Sequence, residues 1–224
     1  LDRIRTSPLV MEELKELLAK ECNGRFSMDS PVMEHFISLL TEVHLKHGEV
    51  LTRYGQLDTN IYIIRRGILK LCYFDGDSER IFAFGVPGTL STQMHCYYTR
   101  TPSIFQYEAC TDAVMMKISK QEFDALIRES ADFSRWVLDR ALDQLCSLEI
   151  RLDRINGQAE NRYLNLLQIA PEVVSRVRAK DIASYLGITP DYFSKLKKRL
   201  AIRKASEKVE EPSTRNAVRL IKRH

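Results

Sequence analysis

The chain has 224 residues, 44% of them hydrophobic, and a formal net charge of +4 at pH 7. That is enough apolar material for one large or two small domains with real cores. No apolar run approaches the ~18 residues of a membrane span and no signal peptide is visible, so a cytoplasmic protein is expected. The charge is unevenly placed: residues 159–224 carry 15 Lys/Arg against 7 Asp/Glu, a net of +8, which leaves residues 1–158 at −4. A basic module on an acidic body suits a polyanionic ligand. The five cysteines, Cys22, Cys72, Cys96, Cys110 and Cys146, form an odd set without a Cys-x-x-Cys pair. Free, mostly buried thiols are predicted, with neither a disulfide framework nor a metal site.

Met11 to Glu21 places Leu14, Leu17 and Leu18 on one side of a helix. Asn23-Gly24 breaks the chain, and Asp29-Ser30-Pro31 starts a second helix with Phe36, Ile37 and Leu40 as its apolar face. From Glu42 to Ile118 the pattern is that of short strands. Val43 and Leu45 precede a turn at His47-Gly48-Glu49, and Val50 to Tyr54, Asn60 to Arg65 and Ile68 to Phe74 follow. Asp75-Gly76-Asp77 is a hairpin signal, Arg80 to Phe84 continues beyond it, Pro87-Gly88 marks a turn, and Phe105 to Ile118 supplies two more strands. Many short strands with regular turns predict a sandwich or barrel. His44 and His47, three apart on a predicted strand, point to opposite faces, which argues against a shared metal. Ser119 to Glu122 is a capping box that opens a helix with Phe123, Leu126 and Ile127 inside.

Asp132 to Ile155 contains no Pro or Gly, and Gly157 follows as a hinge. Leu138, Ala141, Leu145, Leu148, Leu152 and Ile155 step by 3, 4, 3, 4 and 3. This heptad seam predicts packing along a second helix rather than on the chain's own β-domain. Ala159 to Ala170 reads as a helix, Pro171 ends it or begins the next segment, and Val173 to Val177 leads on from there.

Ala179 to Lys198 then reads as two short helices joined by a tight turn. Ile182, Ala183 and Leu186 share a face, Gly187 stops the first helix in a left-handed conformation, Ile188 plugs the corner, and Thr189-Pro190 caps and starts the second. Phe193, Leu196 and Leu200 give the second helix its buried face. Asp191, Ser194, Lys195 and Lys198, at i, i+3, i+4 and i+7, form a polar stripe on the other side. This is the helix-turn-helix pattern, whose second helix enters the DNA major groove. Asp, Ser and Lys can reach base edges, while Thr189, Lys197 and Arg199 flank them where phosphates would lie. After Leu200 the signal fades; Val218, Leu220 and Ile221 fit either a strand turning at Pro212-Ser213-Thr214 or a loose basic tail.

His47 to Leu51, Asn60 to Gly67 (Asn-Ile-Tyr-Ile-Ile-Arg-Arg-Gly), the seam helix and Asp181 to Asp191 (Asp-Ile-Ala-Ser-Tyr-Leu-Gly-Ile-Thr-Pro-Asp), in that order, resemble the catabolite activator protein/FNR (Crp/Fnr) family of bacterial transcription regulators. The resemblance covers nearly the whole chain. It implies an α+β protein: an N-terminal cyclic-nucleotide-binding-like β-roll (a double-stranded β-helix) with flanking helices over 1–131, a dimerisation helix over 132–158 and a winged helix-turn-helix over 159–224. It also implies a homodimer that binds near-palindromic double-stranded DNA and contacts RNA polymerase, with no membrane partner.

Cyclic-nucleotide binders of this family carry a Gly-Glu-Leu segment and an Arg-Ser or Arg-Thr pair for the cyclic phosphate. Anchored at Ile118, the corresponding positions here are Thr92-Gln93-Met94 and Ser103-Ile104. The glycine, glutamate and arginine are all missing, and Arg100 is out of register. Cyclic AMP is therefore not the expected effector. The space either holds a more apolar molecule, lined by residues such as Met94, His95 and Tyr107, or is filled by side chains. Iron–sulfur members need an N-terminal cysteine cluster, where only Cys22 is available. Haem on His95-Cys96 is the alternative to having no cofactor. No Ser/His/Asp set, paired His ligands or phosphate-cradling loop is seen, so catalysis is not expected. The rival reading, a ligand-binding signalling module that does not touch DNA, is opposed by the +8 charge of the C-terminal third.

Overall fold

The structure is a computed structural model; it describes residues 7–155 and 157–210, with side chains placed for 7–150 and 157–203. Helix α1 (Pro8–Glu21) is capped by Ser7, whose hydroxyl accepts from the Val10 N–H, and it buries Leu14 and Leu18. The chain reverses through Asn23 and Gly24, both at positive φ, into α2 (Pro31–Leu39). Eight strands follow, in two four-stranded antiparallel sheets. One has the order β1 (Thr41–Leu45), β8 (Ala113–Ile118), β3 (Ile61–Arg66), β6 (Leu90–Ser91); the other is β2 (Val50–Thr52), β7 (Gln106–Ala109), β4 (Leu69–Asp75), β5 (Ser78–Gly85).

The period-2 rule explains how this roll fills itself. On β3, Tyr62 and Ile64 point between the sheets, with Leu45 and Met115 from their own sheet and Leu69 and Ala109 from the other. Ile61 and Ile63 point outward, where Met116 and Ile118 join them. There α1, α2, α4 (Lys120–Glu129) and the first turns of α5 (Ala131–Ile155) cover the first sheet. Phe36, Phe123, Phe133 and Trp136 form the centre of that layer, with ring centroids 5.2–6.0 Å apart. The capping box is present on both sides: the Ser119 hydroxyl accepts from the Glu122 N–H, and the Glu122 carboxylate accepts from the Ser119 N–H.

Several sequence expectations are corrected. The strand expected over Val50 to Tyr54 stops at Thr52, because the chain turns at Gly55 with φ 77°. His47 is not on a strand: β1 ends at Leu45, and the His47 ring meets the Cys110 carbonyl at 2.7 Å, while His44 pairs with Glu42. Strand β6 and the short helix α3 (Met94–Thr99) carry no periodic signal and were not anticipated. The long helix does not choose between its two expected partners. Phe133, Trp136 and Arg140 are buried against the roll, while Leu138, Leu142, Leu145 and Leu148 are exposed on another side.

Beyond Gly157 come α6 (Ala159–Ile169), α7 (Pro171–Arg176), α8 (Ala179–Tyr185) and α9 (Pro190–Glu210). Helix α9 continues ten residues past Leu200, where the pattern fades, since no Gly or Pro intervenes before Pro212 and Ala, Lys and Glu favour helix. The core of these helices does not close on itself. Phe193, Leu196, Ile182 and Val173 share a buried cluster with Ile68 and Cys110 of the roll, and Phe84 and Val86 pack against it. Lys70 is buried near this junction, between Glu79 at 2.5 Å and Glu108 at 3.2 Å. Burial disfavours its ammonium, but the two carboxylates outweigh that and hold its pKa above the usual range. The predicted terminal hairpin around Pro212 lies outside the described residues.

Candidate nucleic-acid interface and effector region

The turn between α8 and α9 is built as its residues dictate. Gly187, at φ 64°, donates to the Ser184 carbonyl, and Ile188 donates to Ala183 at 3.0 Å. The Thr189 hydroxyl accepts from the Tyr192 N–H at 3.2 Å, and Pro190 opens the helix. Phe193, Leu196 and Leu200 are buried, and Tyr163 of α6 meets Phe193 edge-on at 5.1 Å. Asp191, Ser194, Lys195 and Lys198 are exposed together on the opposite side. The flanking residues are less free. Lys197 lies over the Phe193 ring at 5.0 Å. Arg199 pairs with Glu160 of α6 at 2.7 Å, and Arg203 binds the same carboxylate at 2.9 Å. Glu160 was not singled out from the sequence; it lies 39 residues from Arg199, and no local pattern links them.

On α5, Leu138, Leu145 and Leu148 are 57%, 53% and 43% exposed, and Leu142 adds 52%. Ala141 is half-buried beside Gln144, whose side-chain amide donates to the Leu90 carbonyl of β6. The side chains of Leu152 and Ile155 lie outside the described residues.

The expected effector residues separate into two groups. Gln93 and Ser103 are buried and meet: the Ser103 hydroxyl bonds the Gln93 side-chain oxygen and the Phe105 carbonyl, and the Gln93 amide donates to Phe105 at 3.3 Å. Thr92 is half-buried and donates to the Asn60 carbonyl. Tyr107 packs among the residues between the sheets, and burial pushes its phenol well above the usual range. Met94 and His95 do not line the interior of the roll: both are exposed, Met94 at the rim of a small apolar recess beside Tyr97, Phe123 and Val137, and His95 bonded to Thr101 at 2.6 Å. Cys96, the next residue, is fully buried, so the pair does not converge as a haem ligand set. Deeper in the roll, Asp58 accepts from Thr52 at 2.8 Å and from Tyr62 at 2.9 Å, and both oxygens are used because Asn60 bonds the second. Arg100 is exposed, at φ 56°. Among the described residues no three His, Cys, Asp or Glu side chains could hold a metal ion, all five cysteines are free thiols with four of them buried, and no helix is long and apolar enough to cross a membrane.

Residues 42–130 match the family described as the cyclic nucleotide-binding domain. The fold is shared with solved structures of low sequence identity. FixK2 from Bradyrhizobium japonicum superposes with a TM-score of 0.63 at 16% identity, covering 74% of this chain and 86% of that one. The c-di-GMP-responsive global regulator CLP from Xanthomonas campestris gives 0.63 at 16%, covering 79% and 93%. A CooA mutant from Carboxydothermus hydrogenoformans gives 0.62 at 15%, covering 79% and 83%. No curated protein sequence matches the chain. Within residues 42–130, the side chains at the positions expected from the sequence do not fit a cyclic phosphate. Those positions hold a neutral Gln93–Ser103 pair spent on the Phe105 backbone, and the carboxylate bonded to the interior Tyr62 is Asp58.

Proposed function

We propose that the protein is a dimeric, sequence-specific DNA-binding transcription regulator whose β-roll does not respond to cyclic AMP. The observation that carries this is the exposed stripe of Asp191, Ser194, Lys195 and Lys198 on a helix whose other face is anchored by Phe193, Leu196 and Leu200. A rigidly held helix with donors and acceptors in one outward row can read base edges, and the +8 charge of residues 159–224 attracts the phosphate backbone. In this reading Thr189 and Lys197 position the helix and α5 joins two copies through Leu138, Leu145 and Leu148. RNA polymerase is the further partner, the site of action is the cytoplasm, and no catalysis is involved. The structural likeness to CLP, described as a global regulator linked to virulence gene expression, supports it.

The experiment is a gel shift against fragments of the source genome at two stated salt concentrations. The expected outcome is a small set of fragments held against excess random duplex, with near-palindromic sites and affinity that falls steeply with salt. Equal affinity for every fragment would remove the sequence-specific reading. No binding even at low salt would leave a signalling module that does not touch DNA.

A further inference from the structure

The residues that replace the cyclic-phosphate ligands have a consequence on the outside of the roll. Gln93 and Ser103 fix the backbone of Phe105, and the Phe105 ring forms the floor of a cleft of about 790 Å³ beside the β4–β5 hairpin. That is within the size range of small-molecule sites, about 300–1,000 Å³. Phe82 lies against Phe105 at 5.0 Å, tilted by 37°, and Tyr73 stands edge-on to it at 6.4 Å and 83°. Arg80 is the direct cross-strand partner of Tyr73, on the same face of the hairpin, and lines the cleft with these rings. Arg80 is exposed, and among the described residues no carboxylate pairs with it. Asp75 also borders the cleft, two pairs nearer the hairpin turn opposite Ser78, so Arg80 is the charge next to the aromatic floor. The far wall is the end of α8, tied to the hairpin where the Ile81 N–H donates to the Ser184 hydroxyl at 3.1 Å and where Tyr185 meets Phe84 at 5.3 Å.

The geometry points to a binding site for a planar aromatic anion, its ring system against Tyr73, Phe82 and Phe105 and its carboxylate on Arg80. Aromatic rings recognise a flat apolar body, and the guanidinium fork matches a carboxylate bidentately. The site differs from the interior of the roll, and it goes beyond the DNA-binding reading, because its occupant is bound by the free chain. Since the walls come from the β-hairpin and from α8, an occupant touches both sides of the junction.

Calorimetry with 1-naphthoate, in the absence of DNA, is the test. One site per chain is expected. Arg80→Gln should weaken it roughly tenfold, the loss of a charge-assisted pair, and Tyr73→Ser should weaken it several-fold. Neutral 1-naphthalenemethanol should bind parent and Arg80→Gln alike. Leu145→Glu, on the other exposed apolar surface, should leave naphthoate binding unchanged. Both cleft side chains are exposed, so neither change threatens folding. No heat beyond dilution at millimolar naphthoate overturns the proposal, as does binding insensitive to both cleft variants or binding lost in Leu145→Glu. None of these results bears on the gel shift, so the two readings fail separately.

Discussion

Lys195 and Arg199 sit four residues apart on one helix, yet the structure assigns them different circumstances. Lys195 is exposed in the middle of the polar stripe; Arg199 is held by Glu160, which also holds Arg203. A well-placed base contact is worth about 1–3 kcal/mol of discrimination. Lys195→Ala should therefore relax the preferred sequence at one position, read by competition between single-base operator variants. Arg199 was expected to bind a phosphate, but its charge is already opposed, and few counterions are released by a cation that stays paired. Arg199→Ala should shift the slope of log affinity against log salt by well under the roughly one unit lost with a free phosphate contact. A full unit would show that Glu160 yields Arg199 to DNA. Individual side chains also bear on cyclic nucleotide binding. Burying an unpaired phosphate costs several kcal/mol, and the aligned site offers Ser103 and Gln93, already bonded to each other and to Phe105. Calorimetry with cyclic AMP and cyclic GMP should show no binding tighter than millimolar. Micromolar binding of either would make Arg100 the first residue to reconsider.

At the level of elements, two glycines that share a left-handed conformation differ in what surrounds them. Gly187 ends α8 at φ 64°, and a Cβ there would meet nothing within 4 Å. Gly67 joins β3 to β4 at φ 91°, and a Cβ there would lie 2.6 Å from both Ala113 Cβ and the Asp112 carbonyl oxygen. Gly187→Ala should cost only the left-handed strain, about 1 kcal/mol. Gly67→Ala adds a clash with backbone that cannot rotate away and should cost more, ~3 kcal/mol, because β8 must move. Urea denaturation of the two variants compares them directly; equal losses would mean that β8 gives way easily. The contrast also shows where sequence reading reaches its limit. Gly187 announces itself because its neighbours, Leu186, Ile188 and Thr189-Pro190, carry the rest of a local motif. The capping box at Ser119 and the hairpin at Gly76 are legible for the same reason. Helix α3 is not, since six residues with one buried side chain, Cys96, leave no period to detect. That helix keeps Met94 and His95 out of the roll's interior, which the sequence alone does not show. The pairing of Glu160 with Arg199, and the use of Gln93 and Ser103 to hold Phe105, depend on segments that only the fold brings together.

For the whole molecule, the question is what covers α5. Its first turns already pack on the β-roll half, through Phe133, Trp136 and Arg140, so the helix is fixed there before any partner arrives. The leucines that remain, Leu138, Leu142, Leu145 and Leu148, run along the solvent side for nearly three turns. A leucine stripe of this length, spaced by threes and fours, is what a parallel two-helix seam requires. Pairing two copies about a two-fold axis would set two α9 helices against one face of DNA, about 34 Å apart for half-sites one turn removed. Leu145→Glu tests the assembly with little risk to the fold, because residue 145 is half exposed in the single chain and a glutamate there stays solvated. In the dimer the same carboxylate would be buried against its own copy, at a cost of several kcal/mol. The expected result is a monomer by light scattering with an unchanged thermal midpoint. Specific DNA affinity should fall by about 10²–10⁴, the contribution of a second tethered half-site, while weak non-specific binding persists. Leu9→Glu, at a leucine 80% exposed on α1 and away from the stripe, is the control and should remain dimeric. If Leu145→Glu also remains dimeric and holds its operator, the interface is elsewhere and the α5 leucines face a different partner.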